Sequence, residues 1–201
     1  MSGSAPDVTI IDSGGANLAS LRFALERLGA SSVVSSEPAV IAAARRVLLP
    51  GVGAAADAMA RLRAAGLDAV IPRLQQPLLG ICLGMQLLFQ SSEEGDTRCL
   101  GVIEGRVRRI AGSSQLPVPH MGWNDLQVRQ PDPLLRGFGA DDYFYFVHGF
   151  AAAVGAHTLA STEYGAPFSS VVRHGNFRGV QFHPERSASS GARLLRNFLE
   201  L

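Results

Sequence analysis

The chain contains no lysine: all 18 of its basic residues are arginine. That absence excludes Schiff-base chemistry by a lysine amine, and it excludes a phosphate-binding loop built around one. Cysteine is nearly missing as well. Cys82 and Cys99 are the only 2 in 201 residues, and they form no CxxC or metal-finger spacing. They make no disulfide framework in a chain of this length, which suits a reducing, cytoplasmic setting. Excess charge is lacking too. A net charge of +1 argues against a nucleic-acid or membrane-surface partner. No long apolar run occurs. The stretch 78–89 is broken by Gly80, Gly84 and Gln86 and is too short to cross a bilayer. The first residues have no basic segment of the signal-peptide kind. His120, His148, His157 and His174 are isolated along the chain, with no His or Cys at ligand spacing, so neither a metal nor a cofactor is expected.

What is present is a folding sequence, 47% hydrophobic and 17% charged. No linker, repeat or low-complexity tract divides it, so residues 1–201 are expected to form one domain. Val8-Thr9-Ile10-Ile11 reads as a strand. A helix then carries Leu18, Leu21, Leu25 and Leu28 on one face and ends at Gly29. Residues 32–34 and 46–49 read as strands, the latter stopped by Pro50 and Gly51. Residues 53–66 read as helix, 78–81 as a buried strand, and 83–89 as the start of another helix. This alternation predicts an α/β fold with a mostly parallel sheet flanked by helices. After about residue 101 strands dominate: 102–110, 126–129, 143–147, 157–160, 168–173 and 179–182. A closing helix spans 187–201.

Three short stretches carry chemistry. Gly80-Ile81-Cys82-Leu83-Gly84, between a strand and a helix, has the layout of a nucleophile elbow with sulfur as nucleophile. The helix N-terminus beneath the sulfur would favour thiolate. The same five residues also suit a buried structural cysteine, so the reading turns on a base. Gln181-Phe182-His183-Pro184-Glu185 ends the last strand. Residues two apart share a strand face, so Glu185 can orient the His183 imidazole toward a thiol. That is triad logic with Cys82, His183 and Glu185 in chain order. Pro50-Gly51-Val52-Gly53 follows the third strand, where its backbone N–H groups, with that of Leu83, can hold an oxyanion. Gly14-Gly15-Ala16-Asn17 lacks the full dinucleotide fingerprint. Trp123, the only tryptophan, suits either a core or an interface.

Together these stretches, in this order and spacing, resemble the class I (triad) glutamine amidotransferases. The resemblance implies that family's flavodoxin-like sheet with an additional small β region. Pro119-His120-Met121-Gly122-Trp123-Asn124 and Tyr143-Phe144-Tyr145-Phe146-Val147-His148 are similar to the HisH-type glutaminase subunits of imidazole glycerol phosphate synthase, over essentially the whole chain. The resemblance implies a γ-glutamyl thioester on Cys82, with His183 as base and Glu185 as its orienter. It also implies oxyanion N–H groups at residues 51–53, and a glutamine site formed by Gln86, Glu94, Gly149 and Phe150. The implied partner is a separate (β/α)8-barrel cyclase (HisF type) in a heterodimer, met through Asn17, Trp123, Tyr145 and Arg186. Ammonia would pass through that barrel to a ribonucleotide intermediate of histidine biosynthesis. The chain departs from the family pattern in two places. Arg186 stands where lysine is common, and Gly149-Phe150 stands where a small polar residue and tyrosine are common. Other glutaminases of the class, serving anthranilate, guanylate or pyridoxal phosphate synthesis, stay open as alternatives, as does a cysteine hydrolase acting alone on γ-glutamyl compounds.

Overall fold

The structure, a computed structural model, describes residues 6–13 and 18–201. Residues 14–17, Asn17 among them, lie outside the described residues. The first half reads β1 (Val8–Ile11), α1 (Leu18–Arg27), β2 (Ser32–Ser35), α2 (Pro38–Ala42), β3 (Val47–Gly51), α3 (Ala55–Ala64), α4 (Leu67–Val70), β4 (Leu78–Cys82) and α5 (Leu83–Gln86). There follow β5 (Phe89–Ser92), β6 (Thr97–Arg98), β7 (Ile103–Arg109), β8 (His120–Asn124), β9 (Gln127–Val128), β10 (Phe144–His148) and β11 (Phe150–Ala152). The chain closes with β12 (Thr158–Tyr164), β13 (Ala166–His174), β14 (Phe177–Val180) and α6 (Ala188–Leu199).

An eight-stranded sheet in the order β2-β1-β3-β4-β14-β13-β12-β9 organises the molecule. The five strands from β2 to β14 are parallel, and β13, β12 and β9 extend the sheet antiparallel. This is the 2-1-3-4-5 doubly wound order, in which ligands sit beyond the carboxyl ends of the strands. A four-stranded sheet (β11-β7-β5-β6) and the β8–β10 ribbon form the additional β region.

The parallel strands are buried on both faces, so they read as continuous apolar runs. Ile10, Leu48, Leu79, Ile81 and Val180 point into a core with Leu21 and Leu25 of α1 and Leu194, Leu195 and Phe198 of α6. Ile11, Val47, Leu49 and Leu78 point the other way, onto Ala58, Met59 and Leu62 of α3.

On that second face glycines replace side chains beneath α5. A Cβ at Gly80 would lie 2.7 Å from the Gly84 carbonyl oxygen, and one at Gly179 would lie 2.6 Å from Cγ of Met85. The single turn of α5 therefore rests directly on strand backbone.

Two expectations need correction, and two segments left unassigned gain structure. Pro50 does not stop β3, which runs on to pair Gly51 with Cys82; the ladder toward β1 has already ended at Leu48, so the missing proline N–H is not needed there. The helix expected over 83–89 ends after one turn. Leu87, Leu88 and Phe89 are all buried, which a helix with one apolar face cannot achieve, and the chain turns into β5 instead. Residues 120–124, which show little periodicity in sequence, form β8 with His120 inward and Met121 and Trp123 outward. Residues 94–98 hold a short 3-10 turn and β6.

Candidate active site

β4 lies in the middle of the eight-stranded sheet, and the chain leaves it at Cys82. Cys82, the last residue of β4, has φ 54 and ψ −113, outside the regular strand and helix regions. A non-glycine residue held there costs on the order of 1–3 kcal/mol, and such strain concentrates at functional positions. Gly84 and Gly51 permit the turn: a Cβ on Gly84 would meet the Leu49 carbonyl oxygen at 1.7 Å, and one on Gly51 would meet the Gly84 nitrogen at 2.8 Å.

The adjacent parallel strand, β14, delivers the imidazole. Ile81 pairs with Val180, so the chain segments that follow both strands emerge side by side. His183 Nδ1 lies 2.9 Å from Glu185 Oε1. The mechanism of that pairing differs from strand alternation. Residues Pro184–Arg186 form a 3-10 turn with Pro184 at its start, and the turn swings the carboxylate back onto the ring. Gly191 of α6 makes room for this turn, since a Cβ there would lie 1.9 Å from the Pro184 carbonyl oxygen. The Ser187 hydroxyl donates to the His183 carbonyl at 2.6 Å and accepts from the Tyr145 N–H at 2.9 Å. The His183 N–H donates to the Tyr145 carbonyl at 2.9 Å. Both backbone groups of Tyr145 thus hold the turn.

Burial opposes a charge on His183. Hydrogen bonding and charge from Cys82 and Glu185 outweigh it and push the pKa up to about 10. The second carboxylate oxygen, Glu185 Oε2, is buried with no hydrogen-bond partner. The carboxylate's strong interaction is therefore with the imidazole. Cys82, His183 and Glu185 line one cavity of about 650 Å³, with Gly51, Val52, Gly53, Leu83, Gln86, Glu94, Gly149, Phe150 and Arg186 on its walls. That size suits a small metabolite. A thiol against an imidazole that a carboxylate orients is equipped for nucleophilic attack on an acyl group.

A model of the family Glutamine amidotransferase class-I matches residues 9–201. The HisH subunit of imidazole glycerol phosphate synthase from Vibrio cholerae is 51% identical over 201 residues, covering 97% of this chain and 98% of its own. The HisH subunit from Xanthomonas axonopodis pv. citri is 54% identical over 195 residues, with 97% and 98% covered. The chain belongs to the class-I glutamine amidotransferase family, in its HisH branch. Solved structures agree in fold. A glutamine amidotransferase superposes with TM-score 0.72 at 24% identity, covering 96% of this chain and 97% of that one. PurLQS from Thermotoga maritima superposes with TM-score 0.70 at 19% identity, covering 98% and 99%.

The remaining expected residues of this family member fall into two groups. Around the cavity, Leu83 opens α5, so its N–H has no partner within the helix. Gly53 holds φ +84 with open space around it. Glu94 accepts from the Ala55 N–H at 2.8 Å, so one carboxylate oxygen already caps α3. Gly149 and Phe150 both spend their carbonyls within the protein, on the Ile110 N–H at 2.9 Å and on the Gln86 amide at 2.9 Å.

Three of the expected interface residues, Trp123, Tyr145 and Arg186, cluster on the rim. Trp123 and Tyr145 are cross-strand partners with ring centroids 6.0 Å apart, and the Arg186 guanidinium lies 4.7 Å above the Tyr145 ring. Trp123 is 53% exposed and Met121 62%, so the tryptophan is no core residue.

Sequence reasoning missed three participants. Gln181 lies beyond β14 and bridges Gln86 Nε2, at 3.0 Å, and the Cys82 sulfur, at 3.9 Å. The Val147 carbonyl faces that sulfur at 3.9 Å. His120, isolated along the chain, meets His148 at 3.0 Å. Only the pairing of β8 with β10 brings those two together, and no local motif announces it. Among the described residues, no group of three or more His, Cys, Asp or Glu side chains could hold a metal. Cys99 is buried apart from the cavity lining, and burial raises its pKa to about 11.

Proposed function

We propose that this chain is the glutaminase subunit of an imidazole glycerol phosphate synthase. The observation that carries the reading is the strained Cys82 set against a His183–Glu185 pair within a cavity of amino-acid size. Cys82 attacks the side-chain amide carbon of glutamine. The oxyanion is held by the Leu83 N–H and by backbone N–H groups at Gly51, Val52 and Gly53. The His183 imidazolium gives its proton to the departing nitrogen, and ammonia leaves a γ-glutamyl thioester on Cys82. Neutral His183 then takes a proton from water, which attacks the thioester and releases glutamate and the thiol. Glu185 keeps Nδ1 protonated and the ring in place. Gln86 and the Gly149 and Phe150 backbone shape the glutamine pocket. Glu94 offers its second oxygen to the substrate ammonium.

The ammonia needs an acceptor close by. The partner is a (β/α)8-barrel cyclase, joined as a heterodimer through the Trp123–Tyr145–Arg186 rim and Asn17. It uses the ammonia to form imidazole glycerol phosphate in the cytoplasm. No helix among the described residues is long and apolar enough to cross a membrane.

A glutaminase assay with and without the cyclase subunit and its nucleotide ligand tests this. Low turnover alone and strong activation in the ligand-loaded complex are expected. Cys82→Ala should abolish glutamine-dependent synthesis while the complex still uses free ammonia. Full turnover by the isolated chain would point to a hydrolase acting alone, and loss of both activities in an intact Cys82→Ala complex would refute the division of labour.

A further inference from the structure

We propose that His120 and His148 are positioning residues for glutamine, a neutral pair whose fixed hydrogen-bond direction sets the Phe150 carbonyl and, through it, the amide of Gln86. This deepens the glutaminase reading and rests on it.

The direction follows from the two ends of a chain of contacts. At one end His148 Nδ1 lies 2.8 Å from the Phe150 carbonyl oxygen, which can only accept, so Nδ1 carries a proton. At the other end the Asn124 amide nitrogen, which donates to the Glu163 carbonyl at 3.1 Å, turns toward His120 Nε2 at 3.5 Å, the side of that ring a donor faces. Between them His120 Nδ1 and His148 Nε2 are 3.0 Å apart and share one proton. Two rings this buried stay neutral, so with its proton on Nδ1 His148 has a bare Nε2, and His120 Nδ1 donates to it. Burial agrees: the rings are 3% and 5% exposed, and burial depresses their pKa values to about 4 and about 3.

The consequence reaches the pocket. The Phe150 carbonyl oxygen receives the His148 N–H and the Gln86 Nε2–H together. The other Gln86 amide hydrogen goes to Gln181 Oε1 at 3.0 Å, and Gln181 turns its own amide nitrogen toward the Cys82 sulfur. Both donors of Gln86 are therefore committed, and its carbonyl oxygen is the group left to meet a substrate donor. If the pair lost its direction, the Phe150 carbonyl would lose a donor and Gln86 its orientation.

The rings have little else to do that a phenylalanine would not. His120 stacks on Tyr164 and Phe146 with centroids 4.1 and 5.0 Å away. His120→Phe keeps that packing and removes the proton donor. His148→Asn keeps a donor near the Nδ1 position, whereas His148→Phe does not.

The test measures glutamine KM and kcat in the cyclase complex, with melting temperatures as a folding check. His120→Phe and His148→Phe are expected to raise KM about tenfold, the loss of about one buried hydrogen bond, with a smaller change in kcat. His148→Asn should recover most of that loss. Equal KM in all three variants and wild type would overturn the inference. So would equal rises in His148→Asn and His148→Phe, or kcat loss with KM unchanged. A wild-type complex that hydrolyses no glutamine would instead overturn the glutaminase reading, independently of the pair.

Discussion

Replacing Gly84 with alanine is the sharpest probe of how the fold holds Cys82. The added Cβ would lie 1.7 Å from the Leu49 carbonyl oxygen and 2.8 Å from its carbon. An unstrained carbon–oxygen contact is about 3.3 Å or longer, so the two backbones must part by about 1.5 Å along that line. No rotamer change can relieve it, because the obstacle is main chain on β3. Gly51, two residues further along β3, pairs with Cys82, so the same displacement separates the candidate oxyanion segment from the nucleophile. Overpacking costs about 1–3 kcal/mol or more, and this clash belongs at the upper end. For a domain of this size the melting temperature should fall by about 6–12 °C. Misplacement by about 1 Å costs catalysis on the order of 100-fold. Calorimetry gives the first quantity, and the rate of Cys82 labelling by a glutamine-analogue alkylator gives the second. Gly139→Ala is the control, since no heavy atom lies within 4 Å of its Cβ and its φ is not positive. Its stability should stay within about 0.5 kcal/mol of wild type. If Gly84→Ala melted and labelled like that control, the account of α5 resting on bare strand backbone would be wrong.

Three further outcomes are expected. The Asp132 carboxylate is fully buried, caps the turn at Leu134 at 2.9 Å and binds Arg173 and Arg178 at 2.9 Å each; Asp132→Ala strands the Arg178 charge and should destabilise by about 3–5 kcal/mol in urea unfolding, so a loss below about 1 kcal/mol contradicts the pairing. Glu185→Gln removes one of the interactions that raise the His183 pKa to about 10; the alkaline limb of the glutaminase rate should move down by about 1–3 pH units, and an unmoved limb would mean the carboxylate does not tune the ring. His120 and His148 have folded pKa values depressed from 6.5 to about 4 and about 3; unfolded chains bind protons there first, so stability is full above pH 6.5 and falls as pH drops toward 4, by about 3 kcal/mol from His120 alone at 1.36 kcal/mol per unit. His120→Phe should flatten that acid slope relative to wild type, and an identical slope would show that the ring is not kept neutral by the fold.

The parallel half of the sheet, the elbow and the His-Pro-Glu turn were legible in the sequence because each is written in neighbouring residues. Buried strands announce themselves as runs such as Val47-Leu48-Leu49, and a sharp turn announces itself in Gly80 and Gly84. The geometry beneath those motifs was less legible. Strand alternation was expected to align His183 with Glu185, and a 3-10 turn begun by Pro184 does so instead. The outcome survives because either geometry brings residues two apart within reach of each other. The helix after Cys82 shrank to one turn, because three successive buried residues, Leu87 to Phe89, need surroundings on every side.

The parts that stayed hidden share one cause: they depend on which strand pairs with which. β8 lacks an alternating apolar pattern because its inward positions are His120, Gly122 and Asn124, none of them a large apolar residue. Its antiparallel register against β10 is what places His120 opposite His148 and Trp123 opposite Tyr145. A slip of one residue would send His120 to the surface and Trp123 inward. That register is fixed by chemistry rather than by apolar patterning. His120 has its partner only on the inner face, at His148, and the ribbon's outer face carries the aromatic pair under Arg186. The same two strands therefore set a polar pair on the pocket side and an aromatic rim on the solvent side, and neither can be moved without moving the other.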